Sequence, residues 1–240
     1  MPLESGGLSA AQRQLLGRGV ELLGLDLSEA ALTTIELHLA LVQKWRSKIN
    51  LVSISTPEEL ITHHALDSLA LLPLIEQSRQ VLDIGSGAGF PGMPLAAARP
   101  GIDFTLLDSR SRRIEFLRLV NAQAGLKNMA FLCARVEALA CSAQDSPEKL
   151  SSAAHSQVQA PAKFDTLIAR AVASLDLLLE ITAPLRFSGQ RLIAMKGQYP
   201  HEELRILDKK HSSQIKSVSI ETLEVPFLQA ERHAVIIEFR

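Results

Sequence analysis

Residues able to do chemistry in this sequence gather where apolar runs stop. Val81-Leu-Asp-Ile84 breaks into Gly85, Gly87 and Gly89 before Phe90-Pro-Gly92. Glycines there leave backbone N–H groups bare, so a ligand can approach them closely. A dinucleotide loop needs a third glycine where this chain has Phe90, which argues against a nicotinamide oxidoreductase. About twenty residues further on, Leu106-Leu107 runs into Asp108, where a carboxylate can accept from both hydroxyls of a ribose. Its competing role is to cap a helix before Ser109. Arg135-Val136-Glu137 follows a third apolar run. Glu137 could accept from the amino group of a base, or stand exposed at a helix start. Arg170 ends Phe164–Ala169, and an arginine after a buried strand needs a structural partner or an anion. Lys196-Gly197 and Glu231-Arg232-His233 occupy comparable ends. Arg110, Arg112, Arg113 and Arg118 form the densest basic cluster, suited to phosphate or to a solvated helix face.

No metal site is expected. His63 and His64 are adjacent, so on a helix they point about 100° apart and cannot readily share an ion. With Asp67 they read as helix surface or interface. Cys133 and Cys141 lack metal-ligand spacing and read as reduced thiols.

Elements must place these residues. Ser9 and Gln12 form a capping-box pattern ahead of Leu15, Leu16 and Val20. Ser28 opens a second helix running into Trp45, and Ile49–Ile54 is β-leaning. Thr56-Pro57 starts a third helix through Leu72. Residues 1–76 therefore form a mainly helical cap. From residue 77 the pattern alternates: strands at Val81–Ile84, Ile102–Asp108, Met129–Cys133, Phe164–Ala169 and Leu192–Met195, with helices from Pro94, near Ile114, from Ser174 and over His201–His211. Ser217–Val225 and Ala234–Phe239 can pair antiparallel. This is an α/β, doubly wound pattern, interrupted by a Ser-, Ala- and Gln-rich surface insertion at about 140–162.

Composition narrows the options. The chain has 240 residues, 47% of them hydrophobic, and a net charge of -1. A large core is expected, and autonomous tight nucleic-acid binding is not. The N-terminal residues lack a signal-peptide pattern and no run is long enough to span a bilayer, so a cytoplasmic, membrane-free protein is expected; a monomer is a separate expectation.

The acidic-x-G-x-G-x-G stretch resembles motif I of class I S-adenosylmethionine (SAM) methyltransferases, which implies a Rossmann-like, seven-stranded sheet. More specifically, the chain resembles the GidB family of ribosomal RNA small-subunit methyltransferases. The resemblance is carried by Trp45-Arg-Ser-Lys-Ile-Asn-Leu51, His64-Ala-Leu-Asp-Ser-Leu69 and Asp83–Gly92. Asp108-Ser109 with Arg112, Arg113, Phe116 and Leu117 adds to it, as do Ala169-Arg170-Ala171, Lys196-Gly197 and Glu231-Arg232-His233. It spans nearly the whole chain apart from the extreme N-terminus and the insertion. Arg112-Arg113 departs from it, because lysine is usual at one or both positions.

The resemblance implies SAM as cofactor and methylation of guanine N7 in 16S ribosomal RNA, on the naked RNA or the small ribosomal subunit. Cofactor contacts are then expected at Gly85, Gly87, Phe90, Asp108, Val136, Glu137 and Arg170. Arg112, Arg113, Lys196 and Arg232 become candidates for substrate contact. No catalytic base is expected, since guanine N7 carries a lone pair and no proton. The Asn/Asp-Pro-Pro-aromatic motif of DNA amino-methyltransferases is absent after Phe164–Ala169, against methylation of exocyclic amines. A SAM methyltransferase for another RNA or a small molecule, or a non-catalytic ribosome-binding module, are the alternatives.

Overall fold

The computed structural model describes residues 7–53, 56–139 and 163–240. The expected insertion at 140–162 lies outside the described residues. Seven strands form one sheet: β1 (Gln80–Ile84), β2 (Asp103–Asp108), β3 (Met129–Cys133), β4 (Thr166–Arg170), β5 (Arg191–Lys196), β6 (Ile215–Thr222) and β7 (His233–Phe239). Their spatial order is β3-β2-β1-β4-β5-β7-β6. The first five run parallel, and β7 lies antiparallel between β5 and β6. Parallel strands covered on both faces read as unbroken apolar runs rather than alternations. That explains Val81-Leu82 and Leu167-Ile168, all fully buried. Successive residues face opposite ways, so Val81 joins one core and Leu82 the other.

The first core lies under the N-terminal helices α1 (Ala10–Leu22) and α2 (Glu29–Ile49), together with α6 (Gly92–Ala98) and α7 (Ser111–Ala124). The second lies under the helix Leu175–Thr182 and Leu207. The expected caps are in place. Ser9 and Gln12 form a reciprocal capping box, and Ser28, Thr56 and Ser174 each accept from a backbone N–H three residues on.

Three local expectations change. Residues 49–53 form no strand: α2 continues through Ile49 and ends on Asn50 in the left-handed region, at φ 47°. Asparagine tolerates that conformation better than most residues, so it serves as a helix terminator. The third helix is not uniform. It runs as α3 (Pro57–Leu60), widens to a π-helix over Ile61–Leu66 and returns as α4 (Asp67–Leu69), ahead of a short α5 (Leu72–Ile75). The helix after the glycine loop starts at Gly92, ahead of Pro94, because the Gly92 N–H donates to Asp83 Oδ2 at 3.0 Å.

Candidate functional site

The glycine loop leaves β1 with Gly85, Gly87 and Gly89 all at positive φ. It is held from below and from the side. Ser86 N–H donates to Leu107 O at 3.0 Å, and its hydroxyl donates to Asp83 O at 2.9 Å. Asp83 itself is 1% exposed. Burial pushes its carboxyl up to about 7, against the Gly92 hydrogen bond that favours the anion. At the end of β2, Asp108 Oδ2 accepts from Gly87 N–H at 3.0 Å and Arg113 Nη1 at 3.1 Å, while Oδ1 accepts from Arg110 N–H at 2.9 Å. Asp108 thus braces the loop and the turn into α7. The helix cap position itself falls on Arg110.

Phe90 is joined to Pro91 by a cis peptide bond and is 4% exposed. Its ring lies 4.5 Å from His38 and 5.0 Å from His64, centroid to centroid. His38 comes from α2 and sits 2.6 Å from Ala88 O through Nε2. A carbonyl only accepts, so the His38 proton is on Nε2. Burial lowers this imidazole to about 4 and keeps it neutral.

A cavity of about 600 Å³ opens at the carboxyl ends of β1, β4 and β5. In open α/β sheets this edge is where ligands bind. Gly85, Gly87, Phe90, Arg113, Arg170, Lys196 and Arg232 all line it. Seven of the eleven expected site residues therefore meet at one place. Asp108 stands behind the wall through Arg113 and Gly87. Three others lie elsewhere. Arg112 points to solvent one residue into α7. Val136 is buried in the second core within a short 3-10 turn, and Glu137 is exposed on the same turn.

Of the two readings of His63, His64 and Asp67, helix surface or interface, the structure shows the interface, between the N-terminal segment and the sheet. All three line the cavity, and Asp67 is 2% exposed. Asp67 Oδ2 accepts from Arg170 Nη1 at 2.9 Å, and Oδ1 accepts from Arg232 Nε at 3.1 Å. Arg170 also donates to His63 O at 3.0 Å and to His64 Nδ1 at 2.7 Å. Arginine cannot accept, so His64 carries its proton on Nε2. Burial first, and the Arg170 charge second, lower His64 to about 3. The signal for this group was the i, i+3 spacing of His64 and Asp67, which shares one helix face. What faced them could not be read locally, because Arg170 and Arg232 are far away in sequence.

Lys196 Nζ lies 2.7 Å from Glu203 Oε2 and 3.1 Å from Ala173 O. Ala171, next to Arg170, adopts φ 54°. That is an unusual conformation for a residue with a Cβ, and it occurs where the chain turns to line the cavity.

The family described as rRNA small subunit methyltransferase G, GidB, matches residues 31–235. The chain belongs to the GidB family. Ribosomal RNA small subunit methyltransferase G of Neisseria meningitidis serogroup B is 36% identical over 229 residues, covering 95% of this chain and 99% of that protein. The protein of the same name from Marinomonas sp. is 37% identical over 220 residues, covering 92% and 94%. Among solved structures, the O-methyltransferase from Bacillus cereus in complex with SAH aligns with TM-score 0.53 at 13% identity, covering 95% of this chain and 99% of that one. That likeness shows the shared class I methyltransferase fold. The GidB match takes in the His63–Asp67 helical segment, the glycine loop, Arg170, Lys196 and Arg232, which line the cavity.

Proposed function

We propose that this chain transfers a methyl group from SAM to N7 of a guanine in 16S ribosomal RNA, as a monomer in the bacterial cytoplasm. The observation that carries this reading is the cavity: a member of the GidB family has a glycine loop open over Gly87 and four basic side chains around one opening at the sheet edge.

The residues suit an adenosine-bearing methyl donor. A Cβ placed on Gly87 would meet its nearest atoms, Arg113 Nη1 and Gly85 O, only at 3.8 Å, so space stands open over this part of the loop. Arg170 and Arg232 suit an oxyanion, and Asp108 lies at the strand end expected to meet ribose. When bound, SAM supplies a methyl group on a positively charged sulfur. The chain's own part is positioning and electrostatics. Gly85 and Gly87 form the floor, Phe90 fills the wall, and Arg170 orients a carboxylate or phosphate. Lys196, Arg113 and Arg232 meet RNA from the rim. His64 is neutral, with Nδ1 already accepting from Arg170, so it is not poised to take a proton. Guanine N7 offers a lone pair without a proton to remove, which suits a site built this way.

Residues 1–76 serve in this reading as the cap of the methyltransferase domain at 77–240. His38 and His64 packed on Phe90 support that role.

The test is to map methylated bases on small-subunit RNA from cells with and without the protein. A single N7-methylguanine should be lost with the protein. RNA carrying 7-deazaguanine at that position should accept no methyl group, and undiminished transfer to it would rule out N7 chemistry.

A further inference from the structure

Charges around the cavity pair one to one in two places. Arg113 meets Asp108, and Lys196 meets Glu203. At the third place the count differs. Asp67 is shared between Arg170 and Arg232, each through its own carboxylate oxygen. Among the described residues, two guanidiniums therefore share one carboxylate, leaving one positive charge in excess. The Asp67 side chain is 3% exposed, while those of Arg170 and Arg232 are 16% and 20% exposed. The carboxylate is thus buried behind two arginines that reach the opening.

The arginines are also aimed. Arg170 Nη1 is held by Asp67 and His63 O, Nη2 by His64 Nδ1, and its guanidinium lies 5.5 Å from the Phe90 ring centroid. Arg232 uses Nε toward Asp67 and Nη1 toward Glu231 O. Its Nη2 makes no hydrogen bond among the described residues. Arginine forks held in a fixed orientation are well matched to planar or tetrahedral oxyanions.

We propose that Arg170 and Arg232, joined through Asp67, form a single oxyanion site in the cavity, with Asp67 as its positioning residue. The proposal rests on the methyltransferase reading for the two oxyanions available: the carboxylate of the methyl donor, and a backbone phosphate of the RNA. Asp67 contributes by fixing two guanidiniums from distant parts of the chain at one separation, at the cost of one unit of attraction.

Asp67→Asn separates these two effects. It keeps the side-chain size and a neutral acceptor, and it raises the net charge of the group. If Asp67 only offset charge, oxyanion binding would tighten. If it positions the pair, binding weakens despite the extra charge, by roughly tenfold or more, as expected for losing charge-assisted hydrogen bonds.

Two measurements on the full chain read this out. Calorimetry gives the affinity for S-adenosylhomocysteine, which retains the carboxylate. Steady-state kinetics at saturating SAM give KM for small-subunit RNA. Weaker binding in the first alone assigns the donor carboxylate, and a raised KM in the second alone assigns an RNA phosphate. A loss in both means that both oxyanions meet the pair. Unchanged or tighter values in both arms overturn the proposal. Arg232→Lys keeps the charge and should move the same arm as Asp67→Asn. Combining Asp67→Asn with Arg232→Ala should cost less than the sum of the single losses, because both disrupt one unit; additive losses would also overturn it. A wild-type chain that binds S-adenosylhomocysteine but methylates no RNA would defeat the functional reading alone, leaving the site to be judged on the calorimetric arm.

Discussion

Asp83 carries the clearest linkage between chemistry and stability at the scale of single residues. It is buried under the glycine loop and raised from 3.8 to about 7. Between those values the folded chain holds a proton that the unfolded chain has released. Stability contributed by this group is therefore complete below about pH 4 and falls as pH rises toward about 7. Asp83→Asn keeps an acceptor for the Gly92 N–H and removes the titration. The variant's stability relative to wild type should grow by about 1.4 kcal/mol per pH unit across that window and level off above it. Denaturant unfolding at several pH values measures this, and a difference independent of pH would show that Asp83 ionises freely. His38 and His64 act in the opposite sense. Lowered to about 4 and about 3, they stay neutral when folded, so their contribution is lost as pH falls below about 6.5. Arg170 supplies the functional counterpart. Arg170→Ala should weaken SAM binding and methyl transfer by at least tenfold, since a hydrogen-bonded charge leaves the cavity. Normal affinity together with normal turnover would remove Arg170 from the site. Among the described residues this replacement also leaves Asp67 with Arg232 as its one charged partner, so thermal stability should be followed alongside.

At the scale of elements, close approach decides what each position tolerates. Gly17 and Gly19 both lie inside α1, and propensity alone favours alanine at both by about 1 kcal/mol. A Cβ on Gly17 would meet nothing within 4 Å, whereas one on Gly19 would fall 2.3 Å from Leu66 Cδ1, on a fully buried side chain. Gly17→Ala should raise the melting temperature by about 2–4 °C. Gly19→Ala should destabilise by about 1–3 kcal/mol through overpacking. Thermal scans of the pair check both signs at once. Leu66 closes the π-helical stretch and Asp67 follows it directly, so the contact from α1 also braces the segment that presents Asp67 to the cavity. Gly92 shows the same logic at the sheet. Its Cβ would sit 2.6 Å from Asp83 Oδ2, which explains why α6 begins with glycine.

At the scale of the whole molecule, the cavity has walls from the N-terminal helical segment and from three strand ends, and one chain completes it among the described residues. Net charge is -1, so the long-range field does little to attract RNA. The four basic side chains around the cavity act only at short range. Recognition should then depend on a folded RNA surface. The kcat/KM for an assembled small subunit or folded small-subunit RNA should exceed that for a short unstructured RNA with the same target guanine by at least tenfold, since only the former presents many contacts together. Equal values in a methyl-transfer assay would show that the cavity alone selects the base.

Much of this was legible in the chain itself. The glycine loop, Asp108, Arg170 and Lys196 sit where apolar strand runs stop, and a parallel sheet places all such ends on one edge. Helix caps at Ser9, Ser28, Thr56 and Ser174 are local hydrogen bonds between near neighbours, so sequence alone determined them. Contacts between distant segments were decided only by tertiary structure. His64 and Asp67 share a helix face visible in the sequence, but their meaning comes from Arg170 and Arg232, which the sheet brings to them. Val136 and Glu137 follow the expected strand, but that Val136 is buried in the second core and Glu137 exposed was decided by packing and not by strand order. Sequence determined where the ends of the strands fall. Only the folded chain decided which side chains from those ends face one another, because a buried carboxylate binds whichever cations packing delivers.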